Sequence, residues 1–268
     1  MTCRHMSRKV ALVTGASSGL GEQFATLFAK HGHDVVLVAR NAARMEALAE
    51  RLRVHKVDPY VIAADLAQPN APQAVFDAVK AKGLEVEFLV NNAGYGSNAP
   101  FLDLPMAGEA EMVEVNCTAL LKLTHLFAGP MRARKSGRVL NIASTAAFQP
   151  GPYMATYYAT KAFVASFSEA LAHELAPSGV TVTCSCPGAT ATGFAARSGN
   201  EKSRLFKRPG VAKADQVAEE AFEAMMQGEV MVVHGALNVL AMQSLRVSPR
   251  AVVRRITASL NSPPDVEG

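Results

Sequence analysis

Two hydrophobic rhythms alternate along the chain. Short runs dense in Val, Ile and Leu occur at KVALVTG (9–15), DVVLVAR (34–40), PYVIAAD (59–65), VEFLVNN (86–92), GRVLNIAS (137–144), VTVTCSCP (180–187) and EVMVVHG (229–235). Several are apolar at nearly every position, as parallel strands covered on both faces are. Between them lie longer stretches of helical spacing, such as NAARMEALAERLR (41–53) and KAFVASFSEALAHELA (161–176). The alternation predicts βαβ units and hence an α/β fold: a doubly wound, seven-stranded, mostly parallel sheet with helices on both faces. No composition shift marks an inner boundary. The chain reads as a single domain over 1–268, with an irregular excursion at 189–213 and an extension at 239–268.

With 268 residues, the chain can bury a substantial core without disulfides or metals. Hydrophobic residues make up 49% and charged residues 19%, which excludes a disordered or collagen-like chain. The net charge of +4 is spread out. Its densest cluster, Arg132, Arg134 and Lys135, reads as a helix end and not as a nucleic-acid arm. Cys3, Cys117, Cys184 and Cys186 lack metal-ligand spacing. Cys184 and Cys186 alternate on one strand and share a face, so reduced thiols are expected. The seven histidines show no ligand spacing either, and no metal is assigned. The first ten residues lack the long apolar run of a signal peptide. The uncharged stretches 139–160 and 175–196 contain Pro, Gly and hydroxyl residues unsuited to a transmembrane segment. The expectation is a cytoplasmic protein acting on a small molecule, with no nucleic-acid partner.

The first strand runs into TGASSGLG, Thr14 to Gly21, and a helical pattern follows. Glycines at 15, 19 and 21 permit a tight turn and close approach of a ligand, and the helix N-terminus offers free N–H groups to a pyrophosphate. The spacing is G-x-x-x-G-x-G instead of the commoner G-x-G-x-x-G. With NNAG at 91–94, Asp65-Leu66, and Pro187-Gly188 followed by Thr192, the loop resembles that of the short-chain dehydrogenase/reductase family, over roughly residues 8–235. The resemblance implies a Rossmann-type fold and a nicotinamide cofactor. It assigns to that cofactor Gly15, Ser17, Ser18, Gly19, Leu20, Gly21, Asp65, Leu66, Asn92, Ala93, Gly94, Pro187, Gly188, Thr190 and Thr192. At the end of the second strand stand Ala39, Arg40 and Asn41, where an NAD enzyme would place an acid for the ribose hydroxyls. A guanidinium there suits a 2′-phosphate, so NADP is expected over NAD.

The stretch YYATK (157–161) sets Tyr157 one helical turn before Lys161. A phenol near pKa 10 is a poor base at neutral pH, and an adjacent ammonium is expected to bring that pKa down. Ser144 ends the fifth strand, at the sheet edge where ligands sit, and can hydrogen-bond a carbonyl oxygen. By resemblance, the catalytic set is Asn116, Ser144, Tyr157 and Lys161, with Asn116 holding a water toward Lys161 and Lys161 also on the nicotinamide ribose. Substrate-wall candidates are Tyr95, Ala146, Tyr153 and Phe194.

The excursion 189–213 reads as a substrate lid. Phe194 and Leu205 would offer it apolar surface, and Arg197, Lys202, Arg204, Lys207 and Arg208 charge; a solvated loop and a site for an anionic acyl-carrier thioester are both open. In the extension, Leu240, Ser244, Val247, Val252, Val253, Ile256 and Leu260 suggest two amphipathic helices around Pro249, the second with Arg250, Arg254 and Arg255 on one face. It would cover the site, pack in a dimer or touch an acidic membrane. A homodimer or homotetramer is expected. The resemblance implies an NADP(H)-dependent carbonyl–alcohol oxidoreductase with Tyr157 as general acid/base. The alternatives are a 3-oxoacyl-thioester reductase within that class, and a non-catalytic NADP sensor on the same fold. The glycine spacing and the absence of a second substrate domain speak against an extended-type epimerase.

Overall fold

Each of the seven apolar runs forms a strand in the computed structural model, which describes residues 8–199 and 211–263. Cys3, His5, Lys202, Arg204, Leu205, Lys207 and Arg208 lie outside the described residues. The strands are β1 (Val10–Thr14), β2 (Asp34–Ala39), β3 (Pro59–Ala63), β4 (Val86–Asn91), β5 (Gly137–Ile142), β6 (Val180–Cys186) and β7 (Met231–Val233). They form one sheet in the order β3-β2-β1-β4-β5-β6-β7. All its pairings are parallel, so the sheet expected to be mostly parallel is parallel throughout.

The helices are α1 (Gly19–Lys30), α2 (Ala42–Leu52), α3 (Ala71–Ala81), α4 (Met106–Val113), α5 (Leu120–Arg134), α6 (Ala155–Leu175), α7 (Phe194–Ser198), α8 (Ala214–Gln227), α9 (Ala236–Ser244) and α10 (Arg250–Asn261). Because successive strand residues face opposite ways, each apolar run supplies two cores. Ala11, Val13, Val35 and Leu37 meet Phe24 and Phe28 of α1, Met45 of α2 and Phe222 of α8. Val10, Leu12, Val36 and Val38 meet Val75 of α3, Phe127 and Met131 of α5 and Leu175 of α6. Full burial of one such Phe contributes roughly 1.5–3 kcal/mol.

The chain order reverses between β1 and β4, the switch point where an open parallel sheet leaves a crevice. The strands β1, β2, β5 and β6 end one or two residues before Gly15, Arg40, Ser144 and Pro187. Those four residues, read as strand ends in the sequence, stand beyond the strands on the C-terminal edge of the sheet, beside the crevice.

The extension forms two helices, with Pro249 as the N-cap of α10. Its inward face differs from the apolar stripe expected. Val252 and Ile256 are exposed, and Val253, Thr257 and Asn261 point in at i, i+4 and i+8. The polar pair is tolerated because it is hydrogen-bonded. Thr257 Oγ1 donates to the Val253 carbonyl, and the Asn261 amide pairs with the Tyr158 hydroxyl and donates to the Pro152 carbonyl at 3.2 Å. The backbone carbonyl of Asn261 accepts from Asn98 Nδ2. α10 is thereby fastened to the segments that flank the crevice. None of the described helices is long and apolar enough to cross a membrane.

Candidate active site

The glycine loop is built around three close approaches. Gly15 and Gly19 take φ of +66° and +60°, which a side chain would resist. Any Cβ on Gly21 would overlap the Gly15 carbonyl and the Asn92 amide. Gly21 therefore does not line the crevice; it lets α1 close against the loop. Thr14 joins this loop to NNAG. Its hydroxyl accepts from the N–H groups of Asn92 and Ala93, both at 3.0 Å, and donates to the Val90 carbonyl, while Asn92 Nδ2 donates to the Thr14 carbonyl at 2.8 Å.

A cleft of about 780 Å³ runs from this loop along the sheet edge. Every residue assigned to the cofactor by resemblance lines it except Gly21. At one end are Arg40, Asn41, Asp65 and Leu66. Asn41 also caps α2, accepting from Arg44 N at 3.0 Å, which explains its place there independently of any ligand. Arg40 is largely exposed and stands 3.8 Å from Glu111 of α4, a neighbour that no local sequence signal announced.

At the other end Ser144, Tyr157 and Lys161 converge, because β5 and the first turns of α6 meet there. Ser144 caps a short 3-10 turn, accepting from Ala146 N at 3.1 Å, and its hydroxyl donates to the Pro187 carbonyl at 3.2 Å. Lys161 is buried; Nζ donates to the Ile142 carbonyl at 2.7 Å and lies 5.7 Å from the Tyr157 ring centroid. Burial pulls its pKa down to about 8, against a smaller upward pull from the nearby thiols Cys117, Cys184 and Cys186. Burial also pushes Tyr157 well above the usual phenol range, with Ser144 pulling the other way. This corrects the expected direction for Tyr157. The ammonium is turned to a backbone carbonyl, and desolvation of the ring decides the balance. Cys184 and Cys186 share a face as expected and are unbridged, with sulfurs 3.7 Å apart.

Asn116 does not line the cleft. It sits in a π-helical turn, Glu114–Ala119, between α4 and α5, a distortion often found beside functional sites. Its amide donates to the Tyr95 carbonyl at 2.9 Å and to Thr160 Oγ1 at 3.0 Å, and its oxygen accepts from Tyr95 N at 3.1 Å. Asn116 Oδ1 and Lys161 Nζ both lie against Gly94, so the two are neighbours.

Tyr95, Ala146 and Phe194 line the cleft, but Tyr153 does not. α6 begins at Ala155, and Tyr153 lies before it at φ +65°, outside the helix that carries Tyr157, and Met154 lines the cleft in its place. Tyr158 and Leu260 of α10 also line the cleft, and sequence reasoning missed the wall residues Leu237, Asn238 and Ala241 of α9. Asn238 packs against Gly188 and donates to the His234 carbonyl at 2.8 Å. His234 is itself buried between Ser185 Oγ at 2.8 Å and Glu220 Oε2 at 2.7 Å. This chain of contacts ties β6, β7 and α8 to the Pro187-Gly188 turn. Nothing in the local sequence around His234 predicts it. No group of described residues has the makings of a metal site.

The family model described as short chain dehydrogenase matches residues 9–203. A very-long-chain 3-oxoacyl-CoA reductase of Podospora anserina is 41% identical over 176 residues, 64% of this chain and 52% of that protein. The chain thus spans about half the length of the curated relatives of that name that it matches. A Streptomyces virginiae protein described as a ketoacyl reductase of the monensin polyketide synthase is 34% identical over 83% of this chain and 82% of its own. Among solved structures, a short-chain dehydrogenase from Sphingobium yanoikuyae in complex with NADPH has a TM-score of 0.80 at 34% identity, covering 89% of this chain and 94% of that one. A family member from Burkholderia phymatum in complex with NAD has a TM-score of 0.80 at 26% identity, covering 88% and 92%.

Proposed function

The chain belongs to the short-chain dehydrogenase family, an oxidoreductase on a nicotinamide-binding fold, and we propose that it uses NADP(H) to interconvert a carbonyl and a secondary alcohol, with a 3-oxoacyl thioester as the substrate class. The observation that carries this reading is the convergence of Tyr157, Ser144 and Lys161 in the same cleft as the glycine loop. The substrate class is supported by the names of two relatives, a 3-oxoacyl-CoA reductase and a ketoacyl reductase.

The cleft fits such a cofactor. The glycine loop and the α1 N-terminus would hold its diphosphate, Arg40 a 2′-phosphate, Asp65 and Leu66 the adenine, and Lys161 the nicotinamide ribose. When bound, NADP(H) supplies or takes up a hydride at the carbonyl carbon. The residues of this chain manage the proton and the oxygen. Tyr157, kept neutral by burial, holds a proton on its hydroxyl and passes it to the carbonyl oxygen during reduction. Ser144 turns its hydroxyl from the Pro187 carbonyl to the substrate oxygen and steadies the developing charge. Lys161 stabilises the phenolate that Tyr157 leaves behind. Phe194 and Met154 pack around the tyrosine and keep water from it.

The test is NADPH consumption with acetoacetyl-CoA and with simple ketones, for wild type and Tyr157→Phe. Turnover on the thioester that falls by several orders of magnitude in the variant, with NADPH binding kept, is expected. A variant with near-wild-type turnover sinks the role of Tyr157. Better efficiency with NADH sinks the cofactor preference. NADPH binding with no turnover on any carbonyl points to the sensor reading.

A further inference from the structure

Within five residues, α7 reaches both halves of the cleft. Its first residue, Phe194, packs on Tyr157 with ring centroids 5.2 Å apart. Its fourth, Arg197, reaches across the cofactor end and donates from Nη2 to Ser18 Oγ at 3.4 Å. Thr192, just before the helix, packs against Gly19 of the glycine loop. Both Arg197 and Ser18 line the cleft.

Two features of this contact point to an anion. Ser18 is the N-cap of α1, with the extended backbone from which a serine hydroxyl ordinarily accepts an N–H of its own helix. It makes no such bond, so no side chain of its own caps the first-turn N–H groups of α1. The guanidinium, moreover, sits beside the positive end of the α1 dipole, where a cation is disfavoured unless an anion lies between the two. The described residues give Arg197 no carboxylate partner.

We propose that Arg197 is a binding residue for the diphosphate of the cofactor, closing over it from the side opposite α1. This rests on the nicotinamide-cofactor reading and adds a residue to it. Arg40 stands apart from Ser18, beside Glu111 at the end of the cleft that holds Asp65 and Leu66, where a 2′-phosphate would reach it. The diphosphate is common to NADP and NAD, whereas the 2′-phosphate is not, so the two arginines are separable by their cofactor dependence.

Titration calorimetry with NADPH and with NADH, on wild type, Arg197→Ala, Arg197→Lys and Arg40→Ala, tests the assignment. Arg197→Ala is expected to weaken both cofactors by the same factor, about tenfold for one charge-assisted contact near solvent, and to lessen the salt dependence of binding. Arg197→Lys recovers part of the loss, since an ammonium keeps the charge but not the fork. Arg40→Ala weakens NADPH alone. Inorganic pyrophosphate competes with NADPH on wild type and more weakly on Arg197→Ala. Unchanged affinity of Arg197→Ala for both cofactors, or a loss confined to NADPH, overturns the proposal and leaves the cofactor reading standing. A wild type that binds neither cofactor overturns both.

Discussion

Lys161 sits where a charge is costly. Its ammonium is buried, bonded to one carbonyl and held at a pKa of about 8 instead of 10.5. Between those two values the unfolded chain binds a proton at this lysine that the folded protein does not, so the contribution of Lys161 to stability rises as pH climbs from about 8 to about 10.5. Lys161→Met removes that slope, and chemical denaturation at pH 7 and pH 10 is expected to show the variant at least as stable as wild type at the lower pH while inactive. The same titration has a kinetic face. The kcat/KM for NADPH reports groups of the free protein. In the reductive direction it is expected to fall above about pH 8, as the cation that stabilises the Tyr157 phenolate is lost. Tyr157 cannot be the source of that fall, because burial moves its own titration upward. A profile flat to pH 10 removes the Lys161 charge from the chemistry.

At the scale of elements, two contacts decide whether the cleft keeps its shape. The first is the start of α1 against the glycine loop. Gly21→Ala places a methyl on the Gly15 carbonyl, a backbone atom that cannot swing aside, so α1 must back away from the loop. Calorimetry is expected to show cofactor affinity lost by at least tenfold even where circular dichroism shows the helices intact. The second is α10 on α6. Asn261→Ala leaves the buried Tyr158 hydroxyl and the Pro152 carbonyl without a partner, which costs about 1–3 kcal/mol in a denaturation measurement. Since Leu260 lines the cleft beside it, the substrate KM is expected to rise while cofactor affinity stays the same. The sequence discloses the first contact and not the second, for a physical reason. A strand, three glycines and a helix are local, so their spacing alone exposes the loop. Asn261 and Asn238 matter only through residues more than forty positions away, Tyr158 and Gly188, and an asparagine on an exposed-looking helix carries no mark of its partner. The apolar residues of α10 even mislead, because Val252 and Ile256 face outward while a hydrogen-bonded threonine and asparagine face in.

Across the whole molecule, the cleft joins parts that the sheet order keeps far apart. Arg40 leaves β2 on one side of the switch point, while Pro187 and α9 follow β6 and β7 on the other. A ligand spanning the cleft binds the folded state alone and stabilises the whole chain by mass action, by about 2.7 kcal/mol at a hundredfold excess over its Kd. The difference between NADPH and NADH in that stabilisation is then a measure of Arg40. Glu111 complicates it, because its carboxylate lies 3.8 Å from the guanidinium and competes with a 2′-phosphate for it. Removing the carboxylate frees Arg40 for the phosphate. Glu111→Gln is therefore expected to raise the thermal midpoint with NADPH above that of the wild type under the same conditions, and to leave the midpoint with NADH where it was. Arg40→Ala does the reverse, bringing the NADPH midpoint down to that with NADH. In the double variant, the Glu111 substitution should lose its effect, since the carboxylate acts on NADPH chiefly by occupying Arg40. Additive shifts in the double variant would mean that Glu111 meets the cofactor by another route, and that Arg40 is not its point of contact with the 2′-phosphate.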